Sequence, residues 1–194
     1  GSKLEVERPI LTVGGGAANA AVTFARQGLK AAAIVKVGDD ELGDSIEKRL
    51  KEEKVTPFLA RDKKEGTAYS TILLNQGGER TILTYRGASE ELQKKEVPFG
   101  KLKAKWAYIV PGKIDFSLMQ MIIATLKKNG VLIAMNPSKH YLEMGYNKLK
   151  SLLKTIDVVS LNREEASYFT GVDYGSTRKI FKVFDVVILG IAIM

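Results

Sequence analysis

Short apolar runs alternate along this chain with longer stretches whose apolar residues recur at three- or four-residue steps, the pattern of strands alternating with amphipathic helices. Residues 31–37 form the first dense apolar run and predict a strand buried on both faces of a parallel sheet. Further strands are predicted at 55–60, 106–110, 131–135, 157–161 and 186–189. Helices are predicted at 17–27 and 116–129, ended by Gly28 and Gly130 as C-caps, and at 40–53, where Leu42, Ile46 and Leu50 share a face. Others follow at 146–154, at 162–169 between the N-cap Asn162 and Gly171, and at 176–184. Residues 3–13 alternate Leu4 and Val6 with Glu5 and Glu7, which predicts a strand, and Pro9 favours an edge position. Trp106, Met119, Met121, Ile122 and Ile123 are expected in the core.

Two β-rich runs, 67–74 and 80–86, flank Asn75-Gln76-Gly77-Gly78-Glu79 and predict a hairpin that interrupts the strand–helix series. Alternation of this kind argues for an α/β fold: a doubly wound, mostly parallel sheet with helices on both faces, carrying the hairpin as a small β lid. The expected division is a core of residues 14–66 and 88–194 and a lid of residues 3–13 and 67–87.

Length and composition narrow the function classes. At 194 residues, 45% hydrophobic and 27% charged, the chain reads as one globular domain. With no cysteine, thiolate metal sites, disulfides and a cysteine nucleophile are excluded. No apolar run is long enough to cross a bilayer, so a cytoplasmic protein without membrane partners is expected. The 30 basic and 22 acidic residues give a net charge of +8, which suits a phosphorylated ligand. The basic residues are scattered and sit beside acids, as in Glu47-Lys48-Arg49, which argues against a nucleic-acid partner.

Gly14-Gly15-Gly16-Ala17-Ala18-Asn19 stands at a predicted strand-to-helix junction. Glycines allow close backbone approach to a ligand, the helix start offers unpaired N–H groups, and the amide of Asn19 both donates and accepts, as a sugar hydroxyl requires. A tight turn with a merely polar Asn satisfies the same pattern. A dinucleotide-binding turn is the competing reading: Asp39 and Asp40 lie near the expected distance for a ribose-binding acid, but Asn19 occupies the third glycine position.

The segment Gly15-Gly16-Ala17-Ala18-Asn19-Ala20-Ala21, then Gly28 after six residues and Gly38 after nine more, resembles the N-terminal signature of the ribokinase-like carbohydrate kinases, the phosphofructokinase B family. Leu161-Asn162-Arg163-Glu164-Glu165-Ala166 resembles that family's Asn-x-x-Glu motif, although the same residues read locally as an N-cap and its capping-box partner. The resemblance implies a ribokinase-like fold and ATP-dependent phosphorylation of a hydroxyl on a sugar or sugar-like substrate. Gly14, Gly15, Gly16 and Asn19 are then expected to hold the sugar. Asn162 and Glu165 would stand on the nucleotide-phosphate side, with Glu165 meeting Mg²⁺ through water. The segment from Arg80 to Ala88 resembles the family's lid, which makes Tyr85 and Arg86 candidate substrate-facing residues and a homodimer through the lid plausible; a cross-strand surface pair is the alternative for Tyr85 and Arg86.

The resemblance also implies pieces outside this sequence. The family's first strand, with its Gly-Asp motif and sugar-binding Asp, is expected before it, and the anion hole and catalytic Asp after Met194, so no catalytic residue is assigned within the chain. The other readings are a Rossmann-type dinucleotide-binding protein and a non-catalytic sugar-binding module on a kinase fold. Asn136-Pro137 and Lys113 stand at strand ends, where open α/β sheets bind ligands, and His140 reads as surface or loop packing. Ribose, fructose, a keto-deoxy sugar acid and a nucleoside all fit, and the charge of Arg86 leans toward an acidic or phosphorylated sugar.

Overall fold

The computed structural model describes residues 3, 5–6, 8–75, 77–173 and 188–189. Helix α1 (Gly16–Arg26), strand β1 (Ala32–Gly38), helix α2 (Glu41–Glu52) and strand β2 (Thr56–Asp62) open the fold. The hairpin follows as β3 (Tyr69–Leu74) and β4 (Arg80–Tyr85). Short 3₁₀ turns at Gly87–Glu90, Lys94–Glu96 and Phe99–Lys101 lead to β5 (Trp106–Ile109), α3 (Phe116–Lys128) and β6 (Leu132–Met135). The series ends with α4 (Lys139–Leu142), α5 (Tyr146–Leu153), β7 (Val158–Leu161), α6 (Arg163–Thr170) and β8 (Ile188–Leu189).

Among the described residues all core strand pairings are parallel: β1 with β2, and β5-β6-β7-β8 in that order, while β3 and β4 pair antiparallel. Alternation along the strands sends side chains to two opposite layers. Ile133, Met135, Val159 and Leu161 join Leu118, Met119, Ile123 and Leu126 of α3, Leu149 and Leu152 of α5 and Phe169 of α6 in the larger core. Ala33 and Val35 of β1 instead meet Ala18 and Ala21 of α1 and Leu50 and Ile46 of α2, while their neighbour Ile34 packs against the larger core. The helices therefore cover both faces, and the fold is the doubly wound α/β arrangement expected.

Several local expectations fail for physical reasons. Residues 8–13 carry no strand, because nothing among the described residues pairs with them, and most of them lie exposed. Trp106 is 51% exposed and Leu132, its register partner on β6, is 42% exposed; both sit on a face that α1 meets further along, at Tyr108 through an edge-on contact with Phe24 and at Val110. Met121 and Leu42 are exposed, since each falls at the margin of its helix's buried stripe. The second strand runs two residues past its predicted end, to Asp62. The apolar run 31–37 conceals a lysine: Lys36 is buried within β1. The helix expected at 176–184 lies outside the described residues, as do positions 186 and 187 of the last predicted strand.

Ile133 is fully buried whereas Leu132 beside it is half out. Ile133→Ala is therefore expected to lower the unfolding free energy by about 2–5 kcal/mol in urea titration, and Leu132→Ala by about 1 kcal/mol or less. Equal losses would contradict this assignment of faces.

Candidate functional site

The carboxyl ends of the parallel strands gather the loops that carry most of the candidate residues. Gly15 precedes α1 with φ at +94°, a conformation that excludes most side chains, and the backbone N–H of Asn19 donates to its carbonyl at 2.9 Å. A Cβ on Gly16 would stand 2.5 Å from Cγ1 of Val110, the residue after β5, so the glycine lets the start of α1 seat against that strand's end. Asn19 is exposed and its side chain makes no hydrogen bond among the described residues.

The ends of the next strands are stapled by a residue noted in the sequence only for its position. Asn136 donates its backbone N–H to the Ile109 carbonyl at 3.0 Å and its side-chain amide to the Ser160 carbonyl at 2.8 Å. The Ser138 hydroxyl donates to the Gly112 carbonyl, tying the loop after β6 to the loop after β5. One strand further on, Asn162 caps α6: its side chain accepts from the Glu165 N–H at 2.8 Å, and Glu165 Oε2 accepts from the Asn162 N–H at 2.9 Å. The capping box is thus real, and it holds the two residues at the sheet's edge. The second oxygen of Glu165 has no hydrogen bond among the described residues, and no cluster of three ligating side chains exists among them. That donor set fits a magnesium ion held mainly by water and phosphate, and does not fit one caged by protein.

The hairpin is anchored at this same edge by a root the sequence did not reveal. The Asp40 carboxylate caps α2, accepting from Gly43 N–H at 2.8 Å, and also accepts the Thr67 N–H at 2.7 Å and the Thr67 hydroxyl at 2.6 Å. Thr67, 3% exposed, accepts in turn from Gly38 N–H at 2.8 Å. A Cβ on Gly38 would stand 2.5 Å from Thr67 N, so the motif's last glycine is needed for space at the root. These hydrogen bonds, led by the Thr67 hydroxyl, hold the Asp40 carboxyl below its ordinary pKa.

Tyr85 and Arg86 lie where the hairpin returns. The Tyr85 ring packs on Tyr69, its register partner, with centroids 5.6 Å apart, and its hydroxyl donates to Glu65 at 3.1 Å, which pushes its pKa up. Tyr85 therefore makes a cross-strand pair with Tyr69. Arg86 faces Glu90 at 3.9 Å, and Lys113 of the loop after β5 donates to the same carboxylate at 2.7 Å. Hydrogen bonding from Lys113 lowers the Glu90 pKa. Glu90 thus joins the lid root to the sheet edge, a link no sequence pattern marked. A groove of about 480 Å³ opens beside it, lined by Glu90, Lys113, Asp115, His140 and Lys148, and contains none of the expected sugar or phosphate residues. His140 is exposed, edge-on to Tyr141.

Of the two acids of the dinucleotide reading, the Asp40 carboxylate is spent on the root and Asp39 is exposed, 3.9 Å from Arg61; no strand precedes the glycine turn among the described residues. No helix among the described residues is long and apolar enough to cross a membrane.

The pfkB family carbohydrate kinase profile matches residues 1–185. Among curated proteins, a ribokinase from Haemophilus influenzae is 26% identical over 179 residues, covering 91% of this chain and 57% of the relative. A probable fructokinase-5 from Arabidopsis thaliana is 28% identical over 173 residues, covering 82% of this chain and 53% of the relative. Among solved structures, the adenosine kinase from Sinorhizobium meliloti matches with a TM-score of 0.76 at 22% identity, covering 95% of this chain and 60% of that one. The chain spans little more than half the length of these curated relatives.

A carboxyl held below its ordinary pKa in the folded state supports stability fully at neutral pH and loses that support as the pH falls through its folded value. Urea midpoints measured from pH 7 down to about 3 are therefore expected to fall more steeply for the wild type than for Asp40→Asn, the unfolded carboxyl titrating near about 4. Identical slopes would remove the carboxylate from the root.

Proposed function

The chain belongs to the pfkB family of carbohydrate kinases, and on that premise we propose that it forms the sugar-binding part and lid of an ATP-dependent kinase acting on a hydroxyl of a sugar or sugar-like substrate. The observation that carries this reading is the glycine turn, seated by Gly16 against the end of β5 at the edge where the lid is rooted. Gly14, Gly15, Gly16 and Asn19 hold the sugar, with the unused amide of Asn19 matching a hydroxyl that gives and accepts. Arg86 reaches the substrate from the lid root, and its charge favours an acidic or phosphorylated group on it. Tyr85, engaged with Glu65 and Tyr69, shapes the lid instead of bonding the sugar.

In the transfer, the substrate's hydroxyl oxygen bonds to the γ-phosphorus as the bond from that phosphorus to the ADP oxygen breaks, and the hydroxyl proton passes to a base. Asn162 and Glu165 orient the phosphate side, where Glu165 would hold a magnesium ion through water. Magnesium, when bound, neutralises phosphate charge during transfer. The lid excludes water, which otherwise accepts the phosphoryl group. An ATP donor suits a cytoplasmic reaction. Both lid faces expose apolar side chains, Leu83 and Leu73 on one and Ile72 and Ile82 on the other, so one face can close on the sugar while the other pairs with a second subunit's lid.

The test is ADP formation by the protein in its full natural length, with ATP and Mg²⁺, across ribose, fructose, a keto-deoxy sugar acid and adenosine. Turnover on one of these is expected, with Asn19→Ala raising the sugar KM by about tenfold or more, the equivalent of about 1.4 kcal/mol. Sugar-dependent stabilisation without turnover on any of them would replace the kinase by a non-catalytic sugar-binding module.

A further inference from the structure

Lys36 is the buried cation that no part of the foregoing reading uses. It lies on β1 with its side chain 4% exposed, and its ammonium has three N–H donors. Three oxygens receive them: the Glu91 carbonyl at 2.8 Å, Asp62 Oδ2 at 2.9 Å and Glu96 Oε1 at 3.2 Å. Burial works against its charge, yet hydrogen bonds to Asp62 and Glu96 outweigh it and leave the pKa raised. The same Asp62 is held far below the ordinary carboxylate range, chiefly by Lys36.

The partners lie on the two chain segments that join the hairpin to the core. Asp62 closes β2, and its Oδ1 accepts the N–H groups of Lys64 at 2.9 Å and Glu65 at 3.1 Å, shaping the turn that enters the hairpin. Glu91 and Glu96 belong to the segment that leaves it, and Glu96 Oε2 accepts the Gln93 N–H at 2.7 Å. Between the crossings, Ala88 N–H reaches the Gly66 carbonyl at 2.9 Å. We propose that Lys36 is a positioning residue for the lid, one ammonium fixing both the entering and the leaving strand crossings to the sheet. Its consequence for catalysis rests on the kinase reading above; the mechanical pin does not.

Amide hydrogen exchange and steady-state kinetics on Lys36→Met, in the full natural chain, test the two parts separately. The amides of Thr67, Ala88 and Gln93 are expected to exchange about tenfold faster or more, while Ile133, buried in the core and bonded to the Asp157 carboxylate, keeps its wild-type rate. The sugar KM is expected to rise about tenfold with the ATP KM within about twofold of wild type, a split that simple loss of folded protein does not produce. Should Lys36→Met fail to fold, Glu96→Ala frees only the leaving crossing, so Ala88 and Gln93 should quicken while Lys64 and Glu65 do not. Wild-type exchange at the root, a uniform increase that includes Ile133, or an unchanged sugar KM in an active enzyme overturns the proposal. A wild-type enzyme that turns over no substrate overturns the kinase reading, and leaves the exchange rates to decide the pin.

Discussion

The Asp40 carboxylate is the fastening on which the arrangement of this protein depends. It starts α2 through Gly43 and receives both the N–H and the hydroxyl of Thr67, so the start of α2 and the beginning of the hairpin share one acceptor. A carboxylate is suited to this because it accepts several hydrogen bonds and donates none. The contact exists only because the backbones approach so closely: a side chain on Gly38 would meet Thr67, and one on Gly87 would meet the Gly66 carbonyl. Spacing of glycines in the sequence is thus the imprint of a packing requirement at the lid root as much as of a ligand turn.

A two-stranded hairpin is marginal by itself, and every residue of β3 and β4 is exposed. Its orientation therefore comes from the root and not from packing along its length. Three separate ties converge there: Asp40 with Thr67, Lys36 with Asp62 and Glu96, and Glu90 between Arg86 and Lys113. All three lie toward the carboxyl edge of the parallel strands, the edge to which Gly16 also brings α1. In a doubly wound sheet this is where ligands bind, because helix N-termini and strand-end loops converge there.

Much of the fold was legible from hydrophobic period alone. The order of strands and helices, the hairpin and the stops at Gly28, Gly130 and Gly171 all follow local rules that tertiary structure did not override. Residues 8–13 were misread because alternation describes a strand that has a partner, and none is provided among the described residues. Trp106 was misread because β5, at the end of its described sheet, has two faces, and the one that carries Trp106 is left open at that residue. At the site, the glycine turn and the capping box of Asn162 and Glu165 were visible as local motifs. The long-range partners were not: Asp40 with Thr67, Lys36 with Glu96 and Glu90 with Lys113 pair residues far apart in sequence, with no pattern linking them.

The central claim is that the glycine turn and the lid root form two sides of one sugar site. Amide exchange with and without the sugar that supports turnover tests it directly, read over residues 14–19 and 85–88. The account predicts that bound sugar slows exchange in both segments together while leaving the α3 core unchanged. Protection of neither segment, or protection of residues 14–19 by an adenine dinucleotide in the sugar's place, would contradict it.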